Sequence, residues 1–150
     1  MAVLESAQSA VTARRCASVE RPHLNEREEV AGLARTPGYR YAEVVGRELF
    51  VAGQVPRDGE GNVVAPGHAR RQAQQCLSNL MTLLNVHGFE ARHVRHLRIY
   101  VVGGENALRD AWTGVTEWFD DDVPPATLLG VNGLGYRGQV VEVEASVVRD

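Results

Sequence analysis

Lysine is absent: all 16 basic residues of the chain are arginine. Guanidinium stays protonated and is a poor nucleophile, which excludes an internal lysine Schiff base, a pyridoxal-phosphate lysine and the phosphate-gripping lysine of a P-loop. Cysteine is scarce. Cys16 and Cys76 are too few for a disulfide framework and lack the spacing of a metal knuckle, so a reducing, cytoplasmic setting is expected. Positive charge is not in excess, since 16 basic against 19 acidic residues leave a net charge of -3, which argues against a dedicated nucleic-acid partner. The apolar runs fall far short of the roughly 20 residues that span a bilayer. The segment MAVLESAQSAVTARR lacks a basic leader followed by an apolar core, so neither secretion nor membrane attachment is expected.

What is present fits one compact domain. At 150 residues a chain buries roughly two-thirds of the surface its unfolded form exposes and needs no staples. Residues 1–36, rich in Ala, Ser, Glu and Arg, lack a sustained apolar stripe and run into the breaker RTPG; they read as an N-terminal extension, partly disordered or packed on the surface, ahead of a domain over 37–150. YAEVVGRELFVAGQVP reads as a hairpin turning at Gly46-Arg47, and Val63 and Val64 as a short third strand. A long amphipathic helix is predicted from Gly67 to His87, with Ala69, Ala73, Cys76, Leu77, Leu80, Leu83 and Leu84 at three- and four-residue spacing. A strand over Val94–Val102 and a second helix over Ala107–Phe119 follow. Two last strands, Thr127–Val131 and Gln139–Val148, flank the glycine-rich turn NGLGYRG. Two helices and five or six strands imply an α+β sandwich of two layers, a mixed sheet with both helices on one face. The other face must meet water or another subunit. In the last strand Val141, Val143, Ala145 and Val147 alternate with Glu142, Glu144 and Ser146, giving an apolar face and a face with two carboxylates.

The segments GYRYAEVV, LFVAGQVPRDGEGNVV, QAQQCLSNLMTLLNVHG, VRHLRIYVV, PPATLLGV and VVEVEASVV, in that order, resemble the YjgF/RidA family, also called endoribonuclease L-PSP-like. FVxGQVP, Q-x(6)-N-L and the terminal VEVEA form a specific combination. The resemblance implies a chorismate-mutase-like fold assembled as a homotrimer, the sheets forming an inner barrel, with small-molecule clefts between subunits and no cofactor or metal. It also implies hydrolysis of reactive enamines and imines such as 2-aminoacrylate. The family's cleft tyrosine falls on Tyr39, its turn glycine on Gly53 and its glutamate on Glu142. Its arginine, directly after Pro125-Ala126, falls on Thr127. An arginine there clamps a substrate carboxylate by charge-assisted paired bonds, whereas threonine offers one hydroxyl, so 2-aminoacrylate itself is not the expected substrate. Arg137, on the loop leading to Glu142, is a better substitute than Arg40, which neighbours Tyr39 and points the other way in an extended segment.

On this reading Glu142 handles a water or proton and Tyr39 places the ligand, while Gly53, Thr127 and Arg137 bind substrate. The alternative is a non-catalytic metabolite-binding or pathway-accessory protein, which the missing arginine favours. Other features have plainer readings. Glu144 is structural, pairing with an arginine across a subunit boundary. His93 and His96, three apart in a strand, face opposite sides and cannot share a metal ion. Cys76 sits on the apolar stripe as a small hydrophobe, and Asp120–Asp122 form a solvated helix end. The ribonuclease activity in the family's older name finds no suitably placed histidine pair or basic excess.

Overall fold

The computed structural model describes residues 23–150; Cys16 and the first 22 residues of the expected extension lie outside them. Three α-helices and five strands follow in the order α1 Glu26–Val30, β1 Ala42–Val45, β2 Glu48–Val51, α2 Ala69–Val86, β3 Val94–Val102, α3 Glu105–Trp118, β4 Ala126–Val131 and β5 Val141–Val148. The strands form one sheet in the order β1-β2-β5-β3-β4. Its pairs are antiparallel except β3 with β4, which are parallel and joined through α3. A parallel neighbour requires such a crossover, and α3 supplies it over the same sheet face that α2 covers. The expected α+β architecture, a mixed sheet with two long helices on one face, is the one observed.

The hairpin turns at Gly46-Arg47, between Val45 and Glu48, which pair. Val63 and Val64 form no strand. Val63 makes only an isolated bridge with Arg57, and Val64 N–H donates to Pro56 O at 2.8 Å. Two valines between GEGN and a proline are too short a stretch to build a ladder, so the pair closes a loop instead.

Period-two alternation decides what β5 buries. Val141, Val143, Ala145 and Val147 join Leu97, Ile99 and Val101 of β3 against Leu77, Leu80 and Leu84 of α2. Cys76 belongs to this core with no exposed surface; burial pushes its thiol well above the ordinary range, as suits a packing residue. Helices α2 and α3 approach closely at Gly114, where a Cβ would stand 2.4 Å from Arg70 O. No helix among the described residues is long and apolar enough to cross a membrane.

Two polar side chains on α2 do more than its leucines to set the loops. Gln72 and Asn79 stand seven residues apart, two turns, and so share a face. Gln72, wholly buried, donates from Nε2 to the carbonyls of Val64, Ala65 and Gly138 at 3.1, 3.1 and 2.8 Å. Its Oε1 accepts from Val140 N at 2.7 Å and Val141 N at 3.3 Å. Asn79 donates to the carbonyls of Val55 and Arg57 at 2.9 and 3.0 Å. The N-terminal stretch contributes a third amide. Asn25, 3 % exposed, donates to Thr36 Oγ1 at 2.8 Å and Tyr39 O at 2.9 Å and accepts from Tyr41 N at 2.9 Å. Just beyond it, Glu28 Oε1 meets His87 Nε2 at 2.7 Å and Arg27 donates to Val86 O, seating α1 on the C-terminal end of α2.

Replacing Gln72 by leucine, nearly equal in volume, would leave several buried backbone groups without partners. Unpartnered buried groups cost about 1 to 3 kcal/mol each, so Gln72→Leu is expected to lower the unfolding free energy by about 2 to 5 kcal/mol in urea titrations at fixed protein concentration. A loss below about 0.5 kcal/mol would show that these loops hold without it.

Candidate functional site

The sheet face away from the helices carries Glu142 and Glu144 of β5 beside Arg98 and Tyr100 of β3, which pair across the ladder as Arg98 with Glu144 and Tyr100 with Glu142. Glu144 has its partners within the chain: Tyr100 OH donates to it at 2.7 Å and Arg98 lies at 3.4 Å. The arginine expected across a subunit boundary is thus found within the chain, on the neighbouring strand β3.

Glu142 stands at the end of this face where three loops converge. Together with Pro37, Tyr39, Gly53, Val55, Tyr136 and Gln139 it lines an open cavity of about 420 Å³. Each loop is held by one of the amide side chains. Asn25 fixes the backbone at Tyr39 and Tyr41, Asn79 fixes Val55 and Arg57, and Gln72 fixes Gly138 and Val140. The backbone of Gln54 bridges Val143, with N–H to O distances of 2.7 and 3.1 Å in the two directions, and this brings Gly53 against the Glu142 side chain. A Cβ at position 53 would fall 2.0 Å from Glu142 Oε1, so any larger residue there would displace the carboxylate from its present position.

Three of the residues expected from the sequence, Tyr39, Gly53 and Glu142, thus meet in one cavity. Thr127 and Arg137 are not among its lining residues. Thr127 lies two strands from Glu142, on β4, with Oγ1 3.2 Å from His96 Nε2, and Arg137 is exposed on the turn that follows Tyr136. Arg40 pairs with Glu43 at 3.7 Å. His93 is not on β3: it closes a 3-10 turn, Ala91–His93, where its Nδ1 accepts from Glu90 N. It shares no site with His96, and among the described residues no group of three or more His, Cys, Asp or Glu side chains is placed to hold a metal.

Three residues of the site had no signal of their own in the sequence. Gln139 donates to Glu142 Oε2 at 3.1 Å while its Oε1 accepts from Tyr136 N at 3.1 Å, tying the carboxylate to the glycine-rich turn. Tyr136 places a phenol in the cavity, and Arg57 lies against that ring, 4.6 Å from its centroid, donating to the hydroxyl at 3.1 Å. The Arg57 guanidinium is further engaged by the carbonyls of Gly61 and Arg35. NGLGYRG reads only as a turn in sequence, and nothing in RDGEGN marks its arginine as the support of a distant tyrosine.

Burial raises the Glu142 carboxyl above its ordinary value of 4.5; the Gln139 hydrogen bond opposes the shift and the neighbouring Glu144 charge adds to it. The Tyr39 hydroxyl is also raised, by burial first and then by the adjacent Tyr136, so it stays protonated and available as a donor. These features define the protein as an α+β sandwich with a loop-built cavity around a partly desolvated carboxylate.

The chain belongs to the family described as Endoribonuclease L-PSP, whose model matches residues 31–149; this is the YjgF/RidA family. It is 28 % identical over 96 residues to a RutC family protein of Sulfurisphaera tokodaii, covering 64 % of this chain and 76 % of that one. It is 26 % identical over 112 residues to a 2-iminobutanoate/2-iminopropanoate deaminase of Dermatophagoides farinae, covering 73 % and 84 %. The crystal structure of the Escherichia coli YjgF gene product superposes with a TM-score of 0.68 at 21 % identity, over 78 % of this chain and 92 % of that one, a likeness of fold.

A carboxyl whose folded value is raised binds its proton more tightly in the folded state. Its contribution to stability is full below the unfolded value and is lost as pH rises through the folded one. Wild type is therefore expected to lose stability relative to Glu142→Gln as pH rises from below about 4.5 to neutrality, measured by denaturant unfolding at each pH. A difference that stays constant over this range would contradict the desolvation of Glu142.

Proposed function

We propose that the protein hydrolyses an imine or enamine at this cavity, with Glu142 as the proton-handling group and Tyr39 as the hydrogen-bond donor that orients the ligand. The observation that carries the reading is the Glu142 carboxylate itself, partly desolvated, pressed against Gly53 and held by Gln139 beside Tyr39. The deaminase name of the Dermatophagoides relative supports the same reaction class.

A protonated imine is electrophilic at carbon, so the protein has to hold it, place a water and receive a proton. Ionised Glu142 accepts a proton as the water oxygen bonds to the imine carbon, giving a carbinolamine. The proton passes from Glu142 to nitrogen, the carbon-nitrogen bond breaks, and the hydroxyl proton passes through Glu142 to the departing ammonia as the carbonyl forms. The sum is imine plus water giving carbonyl compound plus ammonia, with no redox step and no metal. A raised carboxyl is a stronger base than an ordinary one, which favours the first transfer.

The cavity opens beside a sheet face that the helices leave bare, where Phe50 is 57 % and Leu129 41 % exposed. Assembly as a homotrimer through these faces, typical of the family, would cover such residues and bring Thr127 of a second copy's β4, with His96 of its β3, towards the cavity. Thr127 then offers a hydroxyl to the substrate at the position where the family resemblance implies an arginine, and 2-aminoacrylate is not the preferred substrate. That same threonine favours a second reading, a metabolite-binding protein without turnover, for which a ligand would raise the melting temperature and be recovered intact.

The test is ammonia release from enzymatically generated imines, some carboxylated and some neutral. Loss of a positioned general base costs typically ~10²- to 10⁴-fold, so Glu142→Gln is expected to lower kcat/KM by that order on whichever imine wild type consumes. No turnover of any imine above background would sink the hydrolase reading.

A further inference from the structure

We infer that the cavity recognises a planar, N–H-bearing cation, an amidinium or a protonated imine that carries no carboxylate, with Glu142 as the specificity-determining anion. The substrate class rests on the hydrolase reading above; the charge preference rests on the residues lining the cavity and on the neutral Thr127.

Among the described residues lining the cavity, Glu142 is the one charged side chain. Its nearest fixed partner, Gln139, is a neutral donor to Oε2 at 3.1 Å, which leaves acceptor capacity on the carboxylate for a ligand. The guanidinium closest in sequence to the glycine turn at 53, Arg57, is spent elsewhere: it supports the Tyr136 ring and hydroxyl and two backbone carbonyls. The other arginines of the bare sheet face are neutralised, Arg98 by Glu144 and Arg95 by Asp150. A ligand carboxylate would therefore meet Glu142 with no compensating cation among the described lining residues, and like charges in a partly desolvated site repel.

A planar cation meets the opposite situation. Two N–H groups on one carbon match a carboxylate as a fork. Two phenols, Tyr39 and Tyr136, contribute aromatic surface beside it, with Pro37, Ala52 and Val55 supplying apolar walls and the rings attracting positive charge. The protonated imine of the hydrolysis is itself such a cation, so one geometry both selects and activates it. Thr127, a neutral residue engaged with His96, adds no positive charge from β4.

The test uses two probes of one shape and opposite charge, benzamidine and benzoate, titrated calorimetrically into the full-length protein. Benzamidine is expected to bind at least tenfold more tightly than benzoate, and Glu142→Gln, which conserves the shape, to weaken benzamidine at least tenfold without weakening benzoate. Tyr136→Phe, which keeps the ring, should retain benzamidine binding within about threefold. Equal or tighter benzoate binding overturns the inference, above all if Arg137→Gln abolishes it, since Arg137 would then be the clamp. Benzamidine binding unaffected by Glu142→Gln overturns it as well, and so does an absence of binding by both probes at millimolar concentration. The two claims fail separately. Benzamidine bound through Glu142 with no imine consumed leaves the charge preference standing without the hydrolase, whereas turnover of carboxylated imines alone leaves the hydrolase standing without the preference.

Discussion

The placement of β5, and with it of Glu142, depends on one buried amide. Gln72 is wholly buried in the first turn of α2, with five backbone partners drawn from the loop at Val64 and Ala65, from Gly138, and from Val140 and Val141 at the start of β5. A polar group at such a depth destabilises unless every donor and acceptor is met. Here the requirement is met only if both loops come to the same end of α2. The helix thereby sets where β5 begins, and the register of β5 sets which of its residues face the core. A shift of one residue would send Glu142 into the leucine cluster and Val143 out to the bare face.

The same device recurs at Asn79 and Asn25. Three neutral side chains from two separate parts of the chain hold three loops, and each loop delivers one part of the cavity: Tyr39, Gly53 or Tyr136 with Gln139. Charged clamps would compete with Glu142 for its charge and shift its proton affinity. Amides hold the backbone and leave the electrostatics of the cavity to a single carboxylate. No arginine is among the causes that set the Glu142 carboxyl, which burial raises against the neutral Gln139 hydrogen bond, although the chain has 16 guanidinium groups. Those near the site are committed to structure, Arg57 under Tyr136 and Arg98 against Glu144.

The fold was largely legible because hydrophobic periodicity is a local property. Strand β3 spans Val94–Val102 as its β-branched run predicts, and the stripe from Ala69 to Leu84 places α2 within two residues at its start. Val63 and Val64 were misread as a strand because a β-branched pair carries no information about whether a partner lies alongside. The site was legible in part. Gly53 and Glu142 stand in motifs, but the physical link between them, a carboxylate lying where a Cβ would be, needs coordinates. Q-x(6)-N-L could be seen as a pattern; that its two amides are backbone clamps follows only once the loops they hold are placed. Asn25 lay in a stretch without an apolar stripe, and a polar residue that anchors tertiary structure gives no periodic signal. Tyr136 and Arg57, 79 residues apart in sequence, meet through the fold alone.

Backbone amide hydrogen exchange at two positions tests the central claim that side-chain amides build the site. The N–H groups of Tyr41 and Val140 lie outside the strands, and their acceptors are Asn25 Oδ1 and Gln72 Oε1. If these amides are structural clamps, both N–H groups will exchange as slowly as those inside β3, because only sub-global unfolding releases them. Exchange at the rate of the open turn around Gly133 and Gly135 would contradict the account.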